Sequence, residues 1–509
     1  MKNRRVESKM ITENTQVTTI TNEETGESKL VTLHRDHPKP TTRREFLATG
    51  MIGTSGMILA PSILSVLARP DFAQGADAAQ CTVQGNALPA FITLNLSGGG
   101  SLSGNLPPLG EDRQPLPKYD LLGLGPDQSV FTDNTKGSMM FQGVRVAGTQ
   151  NSGVPAGFFW LGVKLRATQS TLDKTSLIAV AVASNDDTNS NMADASGMIL
   201  AAGASGSLLP NLGVSTNTGT GVNQTAAVVK PAAPLIVRSF DDLQGALKPA
   251  GTLAARLTDV RRQKLLQLVN SLSGSQARTI ASAGGATSVA LKKIIECATG
   301  KNIEISSKLD PGIDPGLDAA VAGVWGISPG NKTGGNYATA AMVYNGLKGN
   351  SATTGLEMGG YDYHGQGRAN QNATDQRAGE QLGRILETAA AMGKSVMVHV
   401  MSDGSVSSNG GSMFGGDYNN DSGSRGMNFI FAFNPVARPK MKDDKFKHQV
   451  GFFSPGQGAS DQSPVATPLK GAVAVAANYL AFAGQLSKLD AIAPNVFQRS
   501  ELDEVVRIA

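Results

Sequence analysis

Short, nearly unbroken apolar runs that end in clusters of glycine and small polar residues recur along this chain. "AFITLNLSGGGS" spans 90–101, "TSLIAVAVASNDDTNSN" spans 175–191 and "KSVMVHVMSDGS" spans 394–405. "TTGLEMGGYDYH", ending at His364, is a weaker case. Short stretches nearly continuous in apolar residues, such as Thr93–Leu96, Leu177–Val182 and Val396–Met401, are how strands covered on both faces of a parallel sheet read.

Helical spacing fills the gaps between these runs. "SFDDLQGAL" predicts a helix capped by Ser239, with Asp242 three residues on to complete the cap. "TLAARLTDVRRQKLLQLVNSL" puts Leu253, Leu257, Val260, Leu268 and Leu272 on one stripe, with its basic residues opposite. "DQRAGEQLGRILETAAAMG" does the same with Ala378, Leu382, Ile385 and Leu386, and closes on Gly393. This last helix falls between the Asp362/His364 turn and the Val396 run, which makes a β-α-β unit. Such leucine stripes read as core, not as cofactor contacts. Segments 213–225, 310–316, 326–336 and 409–426 are rich in Gly, Asn, Ser, Thr and Pro and read as surface loops or lids. The expected architecture is one three-layer α/β/α domain over 82–509. It has a mostly parallel central sheet and a helical insertion near 240–305.

Composition narrows the function classes. With 40% hydrophobic, 17% charged and 5% aromatic residues and 60 glycines, the 509-residue chain reads as globular. A net charge of +4 without a Lys/Arg block in the folded part excludes a nucleic-acid footprint. Cys81 and Cys297 are far apart and form no C-x-x-C pair, which argues against cysteine-bound zinc.

The N-terminus supplies an address. Residues 1–42 are polar and lack hydrophobic periodicity, so they read as disordered. Residues 43–80 open with Arg43 and Arg44 before Phe46 and Leu47, and continue as a Gly/Ala/Thr-diluted apolar stretch. This is the pattern of a twin-arginine export signal, too weakly apolar for a permanent membrane span. "ADA" at Ala76–Ala78 and the nearby "FAQ" are the candidate cleavage sites. The expected location is the periplasm or cell surface, with membrane contact only through an uncleaved signal. Export would also place Cys81 and Cys297 where a disulfide between them can form.

In open parallel sheets, ligands bind beyond the carboxyl ends of the strands. The polar clusters lie at those ends and bring Ser101 and Asn105, then Asp186, Asp187, Thr188 and Ser190, then Asp362 and His364, then Asp403. Carboxylates with an imidazole suit a divalent ion, and a nearby hydroxyl suits nucleophilic attack on phosphate or sulfate. Of the three histidines after residue 80, His399 sits mid-strand and reads as a hydrogen-bonded core residue. His448, in "KDDKFKHQVGFF", reads as surface.

This combination resembles a large family of twin-arginine-exported bacterial proteins related to alkaline phosphatases and sulfatases. The likeness rests on order: the leader, a strand ending "LSGG", a hydroxyl-bearing loop, "GGYDYHGQGR", a helix, and "VMSDGS". It implies that Asp362 and His364 hold a metal together with Asp403 and Asp421, and that Ser190 or Thr188 attacks. The departures are equally specific. "SGGGSLSGN" offers Ser101 where the family has an acid, "TNSNM" keeps Ser190 without the neighbouring histidine, and "NNDSGSRG" keeps Asp421 but has Ser422 at a histidine position. Such a thinned set implies one divalent ion (Ca, Mg or Zn) or none. The leading expectation is a degenerate relative with a binding or structural envelope role. The alternatives are an active metal-dependent hydrolase of a small anionic ester, and a secretion or surface-assembly factor with an envelope protein partner.

Overall fold

The computed structural model describes residues 4–12, 15–22, 28–34, 88–116, 138–141, 144–147, 158–183, 194–204, 206, 209–214, 234–247, 312–364, 366, 368–402, 405–408, 418–422, 426–456 and 458–509. The chain divides into two compact units, Met1–Ile58 and Leu59–Ala509.

The first unit corrects the reading of 1–42 as structureless. It holds an antiparallel three-stranded sheet of β1 (Arg4–Thr12), β2 (Thr15–Asn22) and β3 (Ser28–His34) in the order β1-β2-β3. Its threonines and valines favour extended backbone even where no core-forming alternation announces a strand.

The second unit is built on eight strands. These are β4 (Ala90–Leu96), β7 (Thr175–Val182), β8 (Leu209–Gly213), β9 (Leu235–Ile236), β10 (Ser351–Met358), β11 (Val396–Ser402), β14 (Gly426–Phe433) and β15 (Gln449–Val450). Their order is β15-β7-β14-β11-β4-β10-β8-β9. All pairings are parallel except those of β14 with β11 and β7, so one strand runs against seven. Two small ribbons stand outside this sheet: β5 (Ser138–Phe141) with β6 (Val144–Ala147), and β12 (Ser405–Ser408) with β13 (Tyr418–Ser422). Among the described residues the outermost strands, β15 and β9, are two residues long.

Helices cover both faces, as a sheet apolar on both sides requires. On one face lie α1 (Phe158–Arg166), α3 (Phe240–Leu247), α4 (Ala319–Trp325), α5 (Gly335–Leu347) and α6 (Arg368–Ala391). Their Trp160, Leu243, Trp325, Met342 and Leu382 share a core with Leu94, Val398 and Phe431 from the strands. On the other face lie α2 (Ser196–Ala201), α7 (Pro468–Phe482) and α8 (Arg499–Val505), packed with Phe91, Val180, Met397 and Ile430. The predicted caps appear. Asp242 Oδ2 accepts from the Ser239 and Arg238 amides at 2.8 and 2.9 Å, and Ser239 Oγ accepts from Asp242 N at 3.2 Å. The Arg238 amide leads in holding the Asp242 carboxyl below its usual range. Gly393 closes α6 at φ +63°. The predicted stripe of Leu253–Leu272, and with it most of the proposed insertion, lies outside the described residues.

Backbone meets backbone where α1 crosses α6. A Cβ on Gly379 would lie 2.8 Å from the Phe159 carbonyl carbon and 3.0 Å from Val163 N, and one on Gly383 would lie 2.7 Å from Val163 O. On the facing helix, a Cβ on Gly162 would stand 2.7 Å from Glu380 N. Arg166 and Glu380 close the crossing with bonds of 2.7 and 2.9 Å.

The segment read as a surface loop at 310–316 is instead partly interior. Asp314 is fully buried, caps Gly316 N at 2.9 Å, and takes Lys332 Nζ at 2.5 Å and the Tyr337 hydroxyl. A buried carboxylate needs such partners, and they come from residues distant in sequence.

Candidate functional site

The carboxyl ends of β4, β7, β10 and β11 lie on one rim of the sheet, because these strands run in one direction. β14 starts there, and the β12–β13 ribbon lies between it and β11. Every predicted site segment therefore springs from this rim. How closely the segments meet depends on strand order. With strands about 4.8 Å apart, the ends of β7 and β10 are separated by four spacings, or roughly 19 Å.

The turn after β10 leans across β4. Tyr361 N donates to Ser97 O at 3.2 Å and Ser97 N to Met358 O at 3.0 Å. Gly98, at φ +116°, lets the Asp362 backbone pass over it, since a Cβ there would be 2.6 Å from Asp362 N. Ser402 at the end of β11 is tied into the same corner. Its Oγ accepts from Gly100 N at 2.7 Å and donates to Leu96 O at 2.8 Å. Asp362 and His364 thus sit beside the end of β11, with His364 Nδ1 hydrogen-bonded to Asp362 Oδ1. Their side chains are 45% and 48% exposed.

Asp403 directly follows Ser402 but lies outside the described residues, as do Asp186, Asp187, Thr188, Ser190, Cys81 and Cys297. Asp421 is described by its backbone only, paired with Val406 in the ribbon. Asp362 and His364 are brought together, and β11, which leads to Asp403, ends in their corner through Ser402. Thr188 and Ser190 follow β7, three spacings, or about 14 Å, from β4. Among the described residues no three His, Cys, Asp or Glu side chains gather around a common point.

The loop after β4 turns inward. Ser101, Ser103 and Asn105 are all buried. Asn105 Nδ2 donates to Asp375 Oδ2 at 3.0 Å, Gln371 Nε2 donates to the same oxygen at 3.2 Å, and the Tyr363 hydroxyl donates to Asp375 Oδ1 at 2.8 Å. Gln371 also reaches Ser101 O at 3.2 Å, and Trp160 Nε1 donates to Asn105 O at 2.6 Å. The Tyr361 hydroxyl donates to Thr374 O at 2.8 Å. Burial, then the nearby Asp375 charge, pushes both tyrosine hydroxyls well up, so they stay protonated as donors. Asp375, a buried carboxylate on α6, was not a sequence candidate. No local pattern marks it, because its donors are distant in sequence.

Two histidine expectations are corrected. His399 is fully buried as predicted, yet neither ring nitrogen has a hydrogen-bond partner. Burial pushes its pKa down to about 3. His448 is not a surface residue: it is half-buried with Nε2 sealed off, and burial first, then Lys447 and Arg507, lowers it to about 4.

No family model, curated protein or solved structure matches this chain. What the rim can do therefore rests on its own geometry. An exposed Asp–His pair can hold a cation weakly or relay a proton, and the buried Asp375 network fixes the loop beneath it.

Proposed function

We propose that this chain is an exported α/β protein of the alkaline phosphatase/sulfatase type whose rim serves a binding or structural role in the envelope. One observation carries the reading: the loop after β4, where that type of enzyme presents a metal-holding acid, is sunk into the core. Ser101 stands at that place, and the nearest buried carboxylate, Asp375, spends its oxygens on Asn105, Gln371 and Tyr363. A carboxylate already saturated by three donors is a poor metal ligand. The site's partner would be a small anionic ester held without turnover, or an envelope protein.

The second reading, an active hydrolase, draws support from the exposed Asp362/His364 pair beside the end of β11. In that case one divalent ion would be held by Asp362, His364, Asp403 and Asp421, and Ser190 or Thr188 would attack. The two readings separate on one preparation of the full chain. Elemental analysis is run beside turnover of p-nitrophenyl phosphate and p-nitrophenyl sulfate, for the parent and Asp362→Ala. The binding reading expects no turnover above background in either protein. Metal-dependent turnover that disappears in Asp362→Ala would overturn it.

A further inference from the structure

Asp314, just before α4, and Lys332, in the connection from α4 to α5, make a contact that neither reading of the rim uses. Lys332 Nζ lies 2.5 Å from Asp314 Oδ2. The other carboxyl oxygen, Oδ1, accepts from Gly316 N at 2.9 Å and from the Tyr337 hydroxyl. Two donors therefore hold one oxygen, and the lysine alone meets the other. The Asp314 side chain is fully buried, while that of Lys332 is one-third exposed. Lys332 Nζ also stands 4.9 Å from the centre of the Phe240 ring, which packs edge-on against Tyr337 at 5.3 Å between centroids.

Three features set this contact apart from an ordinary ion pair. The first is the unequal treatment of the two oxygens, which an ion pair does not need. The second is the fixing of the backbone around the acid. Asn345 Nδ2 donates to Ile313 O at 2.9 Å and Asn350 Nδ2 to Gly312 O at 3.1 Å. A Cβ on Gly316 would overlap the Tyr337 hydroxyl and stand 3.1 Å from Pro329 N, so only glycine lets that hydroxyl reach Oδ1. The third is Pro315 directly after Asp314. Proline has no backbone N–H, which closes the competing route of an aspartate onto the next amide nitrogen.

Together these are the parts of an acyl transfer. The Lys332 ammonium gives one proton to Oδ2, and the contact becomes a neutral amine beside a neutral acid, a form that avoids the desolvation cost of buried charges. The amine then attacks Cγ. Negative charge develops on Oδ1, where the Gly316 N–H and the Tyr337 O–H already point, as in an oxyanion hole. Burial first, then the hydrogen bond to Asp314, holds the Tyr337 hydroxyl well above its usual range, so it stays protonated as a donor. The second nitrogen proton passes to the Oδ2 hydroxyl, which leaves as water. One C–N bond forms and one C–O bond breaks, with no oxidant, reductant or cofactor. Holding two reacting groups in contact is worth an effective concentration of roughly 10⁵–10⁸ M, which favours the amide over its hydrolysis.

We propose that Lys332 and Asp314 condense into an intramolecular isopeptide bond, with Gly316 and Tyr337 stabilising the charge that forms on the way. The bond would staple the α4–α5 connection to the buried segment before α4, without cysteines and whatever the redox state. The test is mass spectrometry of the full chain, purified in its folded form, then denatured and digested with trypsin. The expected product is peptide 309–348, uncut after Lys332, lighter by one water, and giving no fragment ions from breaks between 314 and 332. Lys332→Arg, which keeps the charge, should show the full mass and be cut at 332. Tyr337→Phe should slow bond formation at least tenfold in a time course after cell-free synthesis, with circular dichroism confirming that both variants fold. Cleavage after Lys332 at full mass in the folded parent would overturn the proposal, and so would a missing water that persists in Lys332→Arg. An undiminished rate in Tyr337→Phe would remove the hydroxyl from the reaction. None of these readouts depends on export, metal or ester turnover, so the bond stands or falls apart from the rim's function.

Discussion

Gly379→Ala should part α1 from α6 and loosen the network around Asp375. The added methyl would stand 2.8 Å from the Phe159 carbonyl carbon and nearer still to its oxygen, against an ordinary contact of 3.4 Å or more. Both sides of that contact are helix backbone, so no side chain can swing away. The helices must separate by about an ångström, and overpacking of this kind costs roughly 1–3 kcal/mol or more. Ala is also a better helix former than Gly by about 1 kcal/mol, which offsets part of the loss. The control is Gly323→Ala in α4, where a Cβ meets nothing within 4 Å and the helix-propensity gain stands alone. Urea unfolding followed by circular dichroism should place the two midpoints on opposite sides of the parent, Gly323→Ala above and Gly379→Ala below. The propensity gain is common to both, so the expected gap is the overpacking cost alone, about 1–3 kcal/mol or more. Asp375 sits one turn before Gly379, so the same variant should also raise hydrogen exchange at the Asn105 loop. If Gly379→Ala stabilised the chain as much as Gly323→Ala, the close helix crossing would be wrong.

Other outcomes follow from the buried polar groups. Asp375→Asn places an amide among three donors and should cost about 1–3 kcal/mol, whereas Tyr363→Phe removes one donor and should cost about 1 kcal/mol; denaturant midpoints rank them. Asp362→Ala should change stability by less than about 0.5 kcal/mol, because both members of that pair are nearly half exposed. His399 has a folded pKa of about 3 against 6.5 ordinarily, so the unfolded chain binds the extra proton first as pH falls. Its contribution is therefore complete above pH 6.5 and is lost progressively down to about pH 3, amounting to about 2 kcal/mol by pH 5. His448 acts in the same direction. His399→Leu should flatten the fall in urea midpoint between pH 7 and 5; an unchanged slope would assign that fall to other groups.

The strands of the sheet were legible wherever burial on both faces left continuous apolar runs. Ala90–Leu96, Thr175–Val182 and Val396–Ser402 appear as β4, β7 and β11. The helix before β11 announced itself through its stripe and Gly393. The reversed direction of β14 had no signal, because "GMNFIFAF" is apolar on both faces whichever way it runs. That strand matters for the site, since it separates β7, the strand that precedes Thr188 and Ser190 in sequence, from β11. The Asp375 network was invisible for a different reason. Its donors, Asn105, Tyr363 and Gln371, come from three separate segments, and only the folded chain brings them to one carboxylate. His448 was misread because its charged sequence neighbours suggest solvent, whereas the fold seals its Nε2 from it.

The two-residue strands that flank the sheet among the described residues have a bearing on whether copies of the chain polymerise. A long bare margin would invite a second molecule to zip onto it, with fibre growth as the end point. Here the described margins give a newcomer only a few free amides and carbonyls to grip. Short margins of this kind shield the folded chain from polymerising through its own backbone, a protection that would count most under the proposed export, where no ATP-driven chaperone waits.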